Sequence, residues 1–253
     1  MTAVSEKLLK WLNRCLNAAV ILVIVAAMVY SLYSIWDNNS IYQAALDISQ
    51  RILREKPNDD QPSFDELQKI NPDVCAWLTM NGTRIDGPIV QGENNEEYLN
   101  KDVYGEYSLA GTLFLDTRCS RDFGDFSGLV YGHHMEKHAM FGDLDLYLER
   151  EFFNQNTTGT LLIPDKKISL HVLAVQVVSD RDSWIFDPAS ADADPSGFLD
   201  YIESNAKYIH SSVLKRVKKN LDKYHILVLS TCSSHQEDDR TVVLAAYQFS
   251  DTE

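Results

Sequence analysis

The chain of 253 residues has little positive charge, few cysteines, no internal repeat and no low-complexity tract. Lys and Arg number 23 against 37 Asp and Glu, a formal net charge of −14. Nucleic acid and anionic lipid repel such a chain, so no nucleic-acid partner is expected. The four cysteines are Cys15, Cys75, Cys119 and Cys232, and none has the spacing of a zinc site. No cofactor or metal is expected. Hydrophobic residues make up 45% and charged residues 24%, enough for a folded core and against global disorder.

What the sequence does have is one long uncharged run. Cys15 to Trp36 is 22 residues without a charge, and Ala18 to Ile35 is almost wholly apolar. About 20 such residues in a helix span a bilayer core. Lys7, Lys10 and Arg14 precede the run and Asp37 follows it. The positive-inside rule then puts residues 1–14 in the cytoplasm, a single transmembrane signal anchor at 15–36, and the remainder outside the cell. Tyr30, Tyr33 and Trp36 suit the interfacial aromatic belt. A cleaved signal peptide fits less well, because the run is longer than a usual h-region and no small-x-small site follows it. With Cys15 at the membrane, three cysteines are left outside. An odd number cannot all pair with one another.

Residues 37–65 read as a helical extension. Ile41, Ala45, Ile48 and Ile52 recur at spacings of four, three and four. Pro57–Ser63 reads as a linker, and Ser63 with Glu66 has the spacing of a capping box over a short helix. Residues 66–253 then read as mainly β (α+β). Eight strands are predicted, at Asp73–Met80, Arg84–Gln91, Gly111–Asp116, Ser127–Tyr131, Gly159–Pro164, Ile168–Val178, Tyr224–Ser230 and Thr241–Phe249. Asn81-Gly82 marks a hairpin between the first two. Eight strands of this length suggest a closed barrel. Phe141, Leu144, Leu148 and Phe152 predict one helix. Asp194, as cap before Pro195, opens a second with Phe198, Ile202, Ile209, Val213 and Val217 on one face. That reading places one long helix before the last two strands.

Three residues at element ends can carry chemistry. Tyr224–Cys232 is an apolar strand that ends in Ser-Thr-Cys, and a strand end presents a side chain rigidly. Most free cysteines are only small buried residues, so the thiol needs a base beside it. The strand Leu129–His133 ends on Gly-His, with His134 and His138 as rivals for the base. His134 and His138 are also spaced like two metal ligands on a helix, but no third ligand accompanies them. Arg240 lies eight residues after Cys232, where an antiparallel return brings it back toward the cysteine. Its fixed charge suits a carbonyl or a developing oxyanion. The simpler role is an arginine paired with Asp238 or Asp239. Glu237-Asp238-Asp239 reads as a solvated acidic turn rather than a calcium loop.

Leu-Ser-Thr-Cys232 with Arg240 downstream, and Tyr-Gly-His133 upstream, resembles the active site of the sortases, cysteine transpeptidases of Gram-positive bacteria. The helical extension after the anchor, Asn95-Glu-Glu-Tyr-Leu99-Asn, and the stretch from Gly132-His-His-Met135 to Phe141-Gly142 resemble class B members. The resemblance implies a sortase-type barrel and selects His133 as the base over His134. It implies that Cys232 attacks the Thr carbonyl of a C-terminal sorting motif and that His133 serves as acid and base. Arg240 then orients the motif and stabilises the oxyanion. Asn95, Leu99, Tyr131, Ile185 and Ser230 match residues that line the family's substrate groove. Ser233 stands where some members carry an acid. The implied partners are secreted surface proteins with a sorting signal, and a peptidoglycan cross-bridge or lipid II amine as acceptor. Pilin polymerisation and plain cysteine proteolysis are the alternative outcomes of the same chemistry. A non-catalytic binding module would have lost one of the three residues, and all three are present.

Overall fold

A computed structural model describes residues 3–58, 62–135, 139–232 and 239–249. It divides into two compact units, residues 1–44 and 45–253. In chain order the elements are α1 (Ala3–Ile52), a 3-10 turn at Leu53–Glu55, α2 (Asp65–Ile70), β1 (Val74–Met80) and β2 (Asp86–Val90). A 3-10 turn at Glu97–Leu99, β3 (Leu113–Leu115), β4 (Ser127–Met135) and β5 (Ala139–Met140) follow. Next come a 3-10 helix at Phe141–Leu148, α3 (Arg150–Gln155), β6 (Thr158–Ile163), β7 (Lys166–Ser179), α4 (Ser183–Phe186) and α5 (Pro188–Ala193). The chain closes with α6 (Pro195–Asn205), β8 (Tyr208–Ile209), α7 (Ser211–Lys219), β9 (His225–Cys232) and β10 (Asp239–Tyr247).

The N-terminal unit is helical. The apolar run and residues 37–52 of the extension predicted after it belong to one helix, α1, which ends at Ile52 instead of continuing through the rest of the extension. That helix is long and apolar enough to cross a membrane.

In residues 45–253 the eight predicted strands all form, and they close into a barrel. The order is β10-β9-β4-β3-β2-β1-β6-β7, and β10 also pairs with β7, which joins the two ends. The β2–β3 and β4–β9 pairs are parallel and the other pairs of the ring are antiparallel. The hairpin at Asn81-Gly82 is present, with Gly82 at φ 80° and the Met80 N–H donating to Ile85 O at 2.9 Å. Inward residues such as Leu78, Leu129, Leu173, Leu227 and Leu244 are fully buried together. A second cluster covers the outside of β1 and β2, where Ile52, Phe64, Leu67, Trp77, Tyr98 and Phe114 pack. With apolar cover on both faces, β1 is buried at nearly every residue instead of at every second one.

Three predicted features are corrected. The long helix before the last two strands is two helices, α6 and α7, separated by β8. Ile209 keeps the helical spacing, but the open edge of β7 takes the segment instead. Lys207 N–H donates to Val175 O and His210 N–H to Leu173 O, both at 2.8 Å. The helix predicted around Phe141–Phe152 is a 3-10 helix and then α3, broken at Glu149, which is extended at φ −91° and ψ 123°. Phe141, Leu144 and Tyr147 are buried at strict three-residue spacing, the 3-10 period. The capping box does not form. Among the described residues, Ser63 Oγ accepts from Asp65 N–H at 3.4 Å, not from Glu66 N–H, and Glu66 pairs with Lys69. Asp194 does cap α6, accepting from Gly197 N–H at 2.9 Å behind Pro195.

Candidate active site

The ends of β4, β9 and β10 meet at one place. β4 and β9 run parallel in continuous register from Ser127↔Ile226 to His133↔Cys232, so the predicted base and nucleophile share the last rung. Gly132 is required there. A Cβ at that position would come within 2.7 Å of the buried Phe141 ring, which closes the barrel behind the strand. His133 is partly buried, and that burial lowers its pKa below the ordinary histidine value, favouring the neutral imidazole. Cys75 and Cys119 differ in kind. Both are free and buried, and burial pushes their thiols up to about 12, so they are unreactive packing residues.

Arg240 opens β10, on the other side of β9 from His133. Its Nη1 donates to Thr231 O at 3.4 Å and its Nη2 lies 3.9 Å from the Asp180 carboxylate. Its Nε is buried without a hydrogen-bond partner among the described residues. Asp180 is an acidic neighbour of Arg240 that the sequence reading did not name. Asp238, Glu237, Ser233 and His138 lie outside the described residues.

Beside these strand ends lies a groove of about 330 Å3, lined by Asn95, Leu99, Phe114, Tyr131, Asp180, Phe186 and Arg240. Asn95, Leu99 and Tyr131 from the expected substrate set thus share one concavity with Arg240. Ile185 and Ser230 do not line it. Ile185 is the residue by which α4 is buried in the core, and Ser230 is fully buried with its hydroxyl on Thr231 O at 3.2 Å.

The groove wall is organised by a residue that sequence reasoning missed. Asp116 is fully buried. It accepts from Arg118 Nε at 2.9 Å, Arg118 Nη2 at 2.7 Å, the Arg118 N–H at 2.9 Å, Asn95 Nδ2 at 2.9 Å and Tyr131 Oη at 3.2 Å. Burial alone would raise this carboxyl, but the Arg118 guanidinium and backbone N–H outweigh it and hold the carboxyl below the ordinary range. Arg118 also donates to Phe186 O at 2.7 Å, and the Phe186 and Tyr131 rings stack at 7°. One ion pair therefore joins three of the lining residues. Its only sequence signal was an acid and an arginine two apart at the end of a predicted strand.

His134, the rival base, is bonded through Nε2 to Asp145 Oδ2 at 2.7 Å. A larger cavity of about 480 Å3, between the end of α1 and β2, contains none of the expected site residues. Among the described residues, no group of three or more His, Cys, Asp or Glu could hold a metal ion.

Known proteins are similar to this chain in sequence and in fold. No family model matches the chain. Sortase B of Staphylococcus aureus is 29% identical over 198 residues, 78% of this chain and 79% of its own length. Sortase B of Listeria monocytogenes is 30% identical over 175 residues, 69% of each. Among solved structures, a Streptococcus pyogenes class B sortase involved in pilus biogenesis is 37% identical, with TM-score 0.62, over 74% of this chain and 98% of its own. The Staphylococcus aureus sortase B–substrate complex is 26% identical, with TM-score 0.68, over 81% and 93%. With the relatives covered over most of their length and the same closed barrel beneath the site, this chain belongs to the class B sortases, a family of cysteine transpeptidases.

Proposed function

We propose that the protein cleaves a C-terminal sorting motif of secreted proteins at a Thr-x bond and joins the new carboxyl end to a cell-wall amine. The shared rung of His133 and Cys232, with Arg240 lining the adjacent groove, carries this reading. The Cys232 thiol gives its proton to His133 as its sulfur attacks the Thr carbonyl. Arg240, with guanidinium N–H capacity to spare, holds the oxyanion that forms. The tetrahedral intermediate collapses with loss of the downstream amine, which takes the proton from His133. A thioacyl enzyme remains. The acceptor amine, from a peptidoglycan cross-bridge or lipid II, then attacks the thioester and returns the thiol. Asn95, Leu99 and Tyr131 form the wall against which the motif lies, and Ile185 and Ser230 support it from the core.

The long apolar helix supports a single-pass anchor. Lys7, Lys10 and Arg14 before it favour a cytoplasmic N-terminus and an extracellular barrel.

A second reading has a specific ground, because the 37% identical relative works in pilus biogenesis. In that reading the acceptor is a lysine of a pilin subunit, and the acylation half-reaction is unchanged.

The test uses the full chain in detergent micelles with a pool of Asn/Ser-Pro-x-Thr-x peptides. Acylation predicts a mass adduct on Cys232 that a small cell-wall amine, such as a cross-bridge peptide, converts to ligated product. Product that forms only with a pilin-derived lysine peptide favours the second reading. Release of free acid whatever amine is added leaves a hydrolytic protease and sinks both.

A further inference from the structure

The active-site end of the barrel is held from its other face by one carboxylate. Successive residues of a strand face opposite sides, so the neighbours of His133 and Arg240 turn away from the side those two residues occupy. His134 follows His133 on β4, and its Nε2 lies 2.7 Å from Asp145 Oδ2. Thr241 follows Arg240 on β10, and its Oγ1 donates to Asp145 Oδ1 at 2.6 Å. The Thr241 N–H donates to Thr231 Oγ1 at 3.2 Å, and Thr231 immediately precedes Cys232. The three residues next to the base, the arginine and the nucleophile are therefore tied into one network with Asp145 as its hub.

The tie falls where the backbone ladder ends. The β9–β10 register begins at Ser230↔Val242, two residues short of Arg240, whereas the β7–β10 register continues past it with Arg240↔Val178. At the level of Arg240, side-chain bonds set the distance between β10 and β9. Asp145 is well placed to set it. The 3-10 helix that carries it is anchored by Phe141, Leu144 and Tyr147, all fully buried. Gly142 lets that helix lie against β4, where a Cβ would fall 1.9 Å from the Met135 carbonyl oxygen. The hydrogen bond from His134 lowers the Asp145 carboxyl, and burial only partly opposes it, so both oxygens act as acceptors.

We propose that Asp145 is a positioning residue for acyl transfer. Through His134 and Thr241 it fixes the spacing between the end of β4 that carries His133 and the end of β10 that carries Arg240. The proposal rests on the sortase chemistry above. Asp145 itself touches no reacting atom, and its removal acts on the rate of the chemical step instead of on peptide binding.

The test compares full-length Asp145→Asn, which keeps two hydrogen-bonding atoms, with Asp145→Leu, which removes both. Single-turnover acylation of Cys232 by the peptide pool is read alongside KM and thermal melting. Asp145→Leu should lower the acylation rate about tenfold or more, as misplacement by a fraction of an ångström does, with KM changed less than about threefold. Asp145→Asn should stay within about threefold of the parent. A parent-like rate in the Leu variant overturns the proposal, and so does an equal loss in both variants. Where Asp145→Leu does not fold, Thr241→Val carries the test by cutting one arm of the network. A lowered rate at constant KM supports the proposal and an unchanged rate overturns it. If the parent forms no adduct with any peptide, the functional reading fails by itself. The pH profile of Cys232 alkylation by iodoacetamide then decides the positioning role. A profile displaced in the Leu variant but not in the Asn variant upholds it, and identical profiles overturn it.

Discussion

The two sides of the groove are built differently. On the β3–β4 side, the Asp116 carboxylate accepts five hydrogen bonds from Asn95, Arg118 and Tyr131. On the β10 side, among the described residues, Arg240 makes one long hydrogen bond and one ion-pair contact at 3.9 Å, and its buried Nε has no partner. Hydrogen-bonding capacity that is buried and unused costs free energy unless a ligand takes it up. The saturated side is a fixed template. In the proposed reaction, the unsaturated side is where a substrate carbonyl would gain most from binding.

The contrast can be broken in order of expected effect. Cys232→Ala should abolish acylation, by ~10^4-fold or more, with peptide binding retained. Residual turnover at parental rate would remove the catalytic reading of this whole end of the barrel. Arg240→Ala and Arg240→Lys should each lower kcat about 10^2-fold or more, because a lysine lacks the fork that can hold an oxyanion while keeping Thr231 O. Equal kcat in parent and Lys variants would show that charge alone suffices on the unsaturated side.

Asp116→Ala acts on the other side and should behave in the opposite manner. It removes the buried partner of Arg118, leaving that guanidinium, among the described residues, only Asp187 at 3.5 Å as an ion-pair contact. It also cuts one hydrogen bond each of Asn95 and Tyr131, so chemical denaturation should register a loss of about 2–4 kcal/mol. Peptide KM should rise more than kcat falls. A fall in kcat without a rise in KM would mean that the template also shapes the reacting centre.

The smallest effect is on pH. Burial lowers the pKa of His133 and of His210, and lowers that of His171 with help from the Arg216 charge. A histidine with a depressed folded pKa binds fewer protons folded than unfolded. Its contribution is therefore complete above the unfolded value near ~6.5 and is lost as pH falls through the folded value. Thermal melts between pH 7.5 and 5 should show a falling midpoint, and the acid limb of kcat/KM should lie below the ordinary histidine range. A midpoint that rises on acidification would contradict the burial of these rings.

The strands were legible because each is a short β-branched or aromatic run between turn signals, and such runs have few other uses. His133, Cys232 and Arg240 were legible as residues at strand ends. The segment from Phe198 to Val217 was misread because helical spacing survives on either side of Tyr208–Ile209. Only the open edge of β7 decides that those two residues pair as a strand. Asp116, Asp145 and Thr241 were invisible for a related reason. Asp145 and Thr241 are ordinary polar residues whose partners lie up to 96 residues away, and Asp116, though paired with nearby Arg118, matters for the groove through Asn95 and Tyr131, 21 and 15 residues off.

By itself the sequence determined the long apolar run, the eight strands and the three candidate reactive residues at strand ends. Periodicity, charge and turn chemistry are local properties of a chain. The tertiary structure alone decided that β4 and β9 run parallel and in register, so that His133 and Cys232 finish on the same rung. It also decided which groove residues are walls and which are core. Ser230 and Tyr131 lie on adjacent strands in the same register, yet one is sealed in the barrel and the other faces the groove. Register and closure follow from how all eight strands fill one interior together, and no local stretch of sequence carries that information.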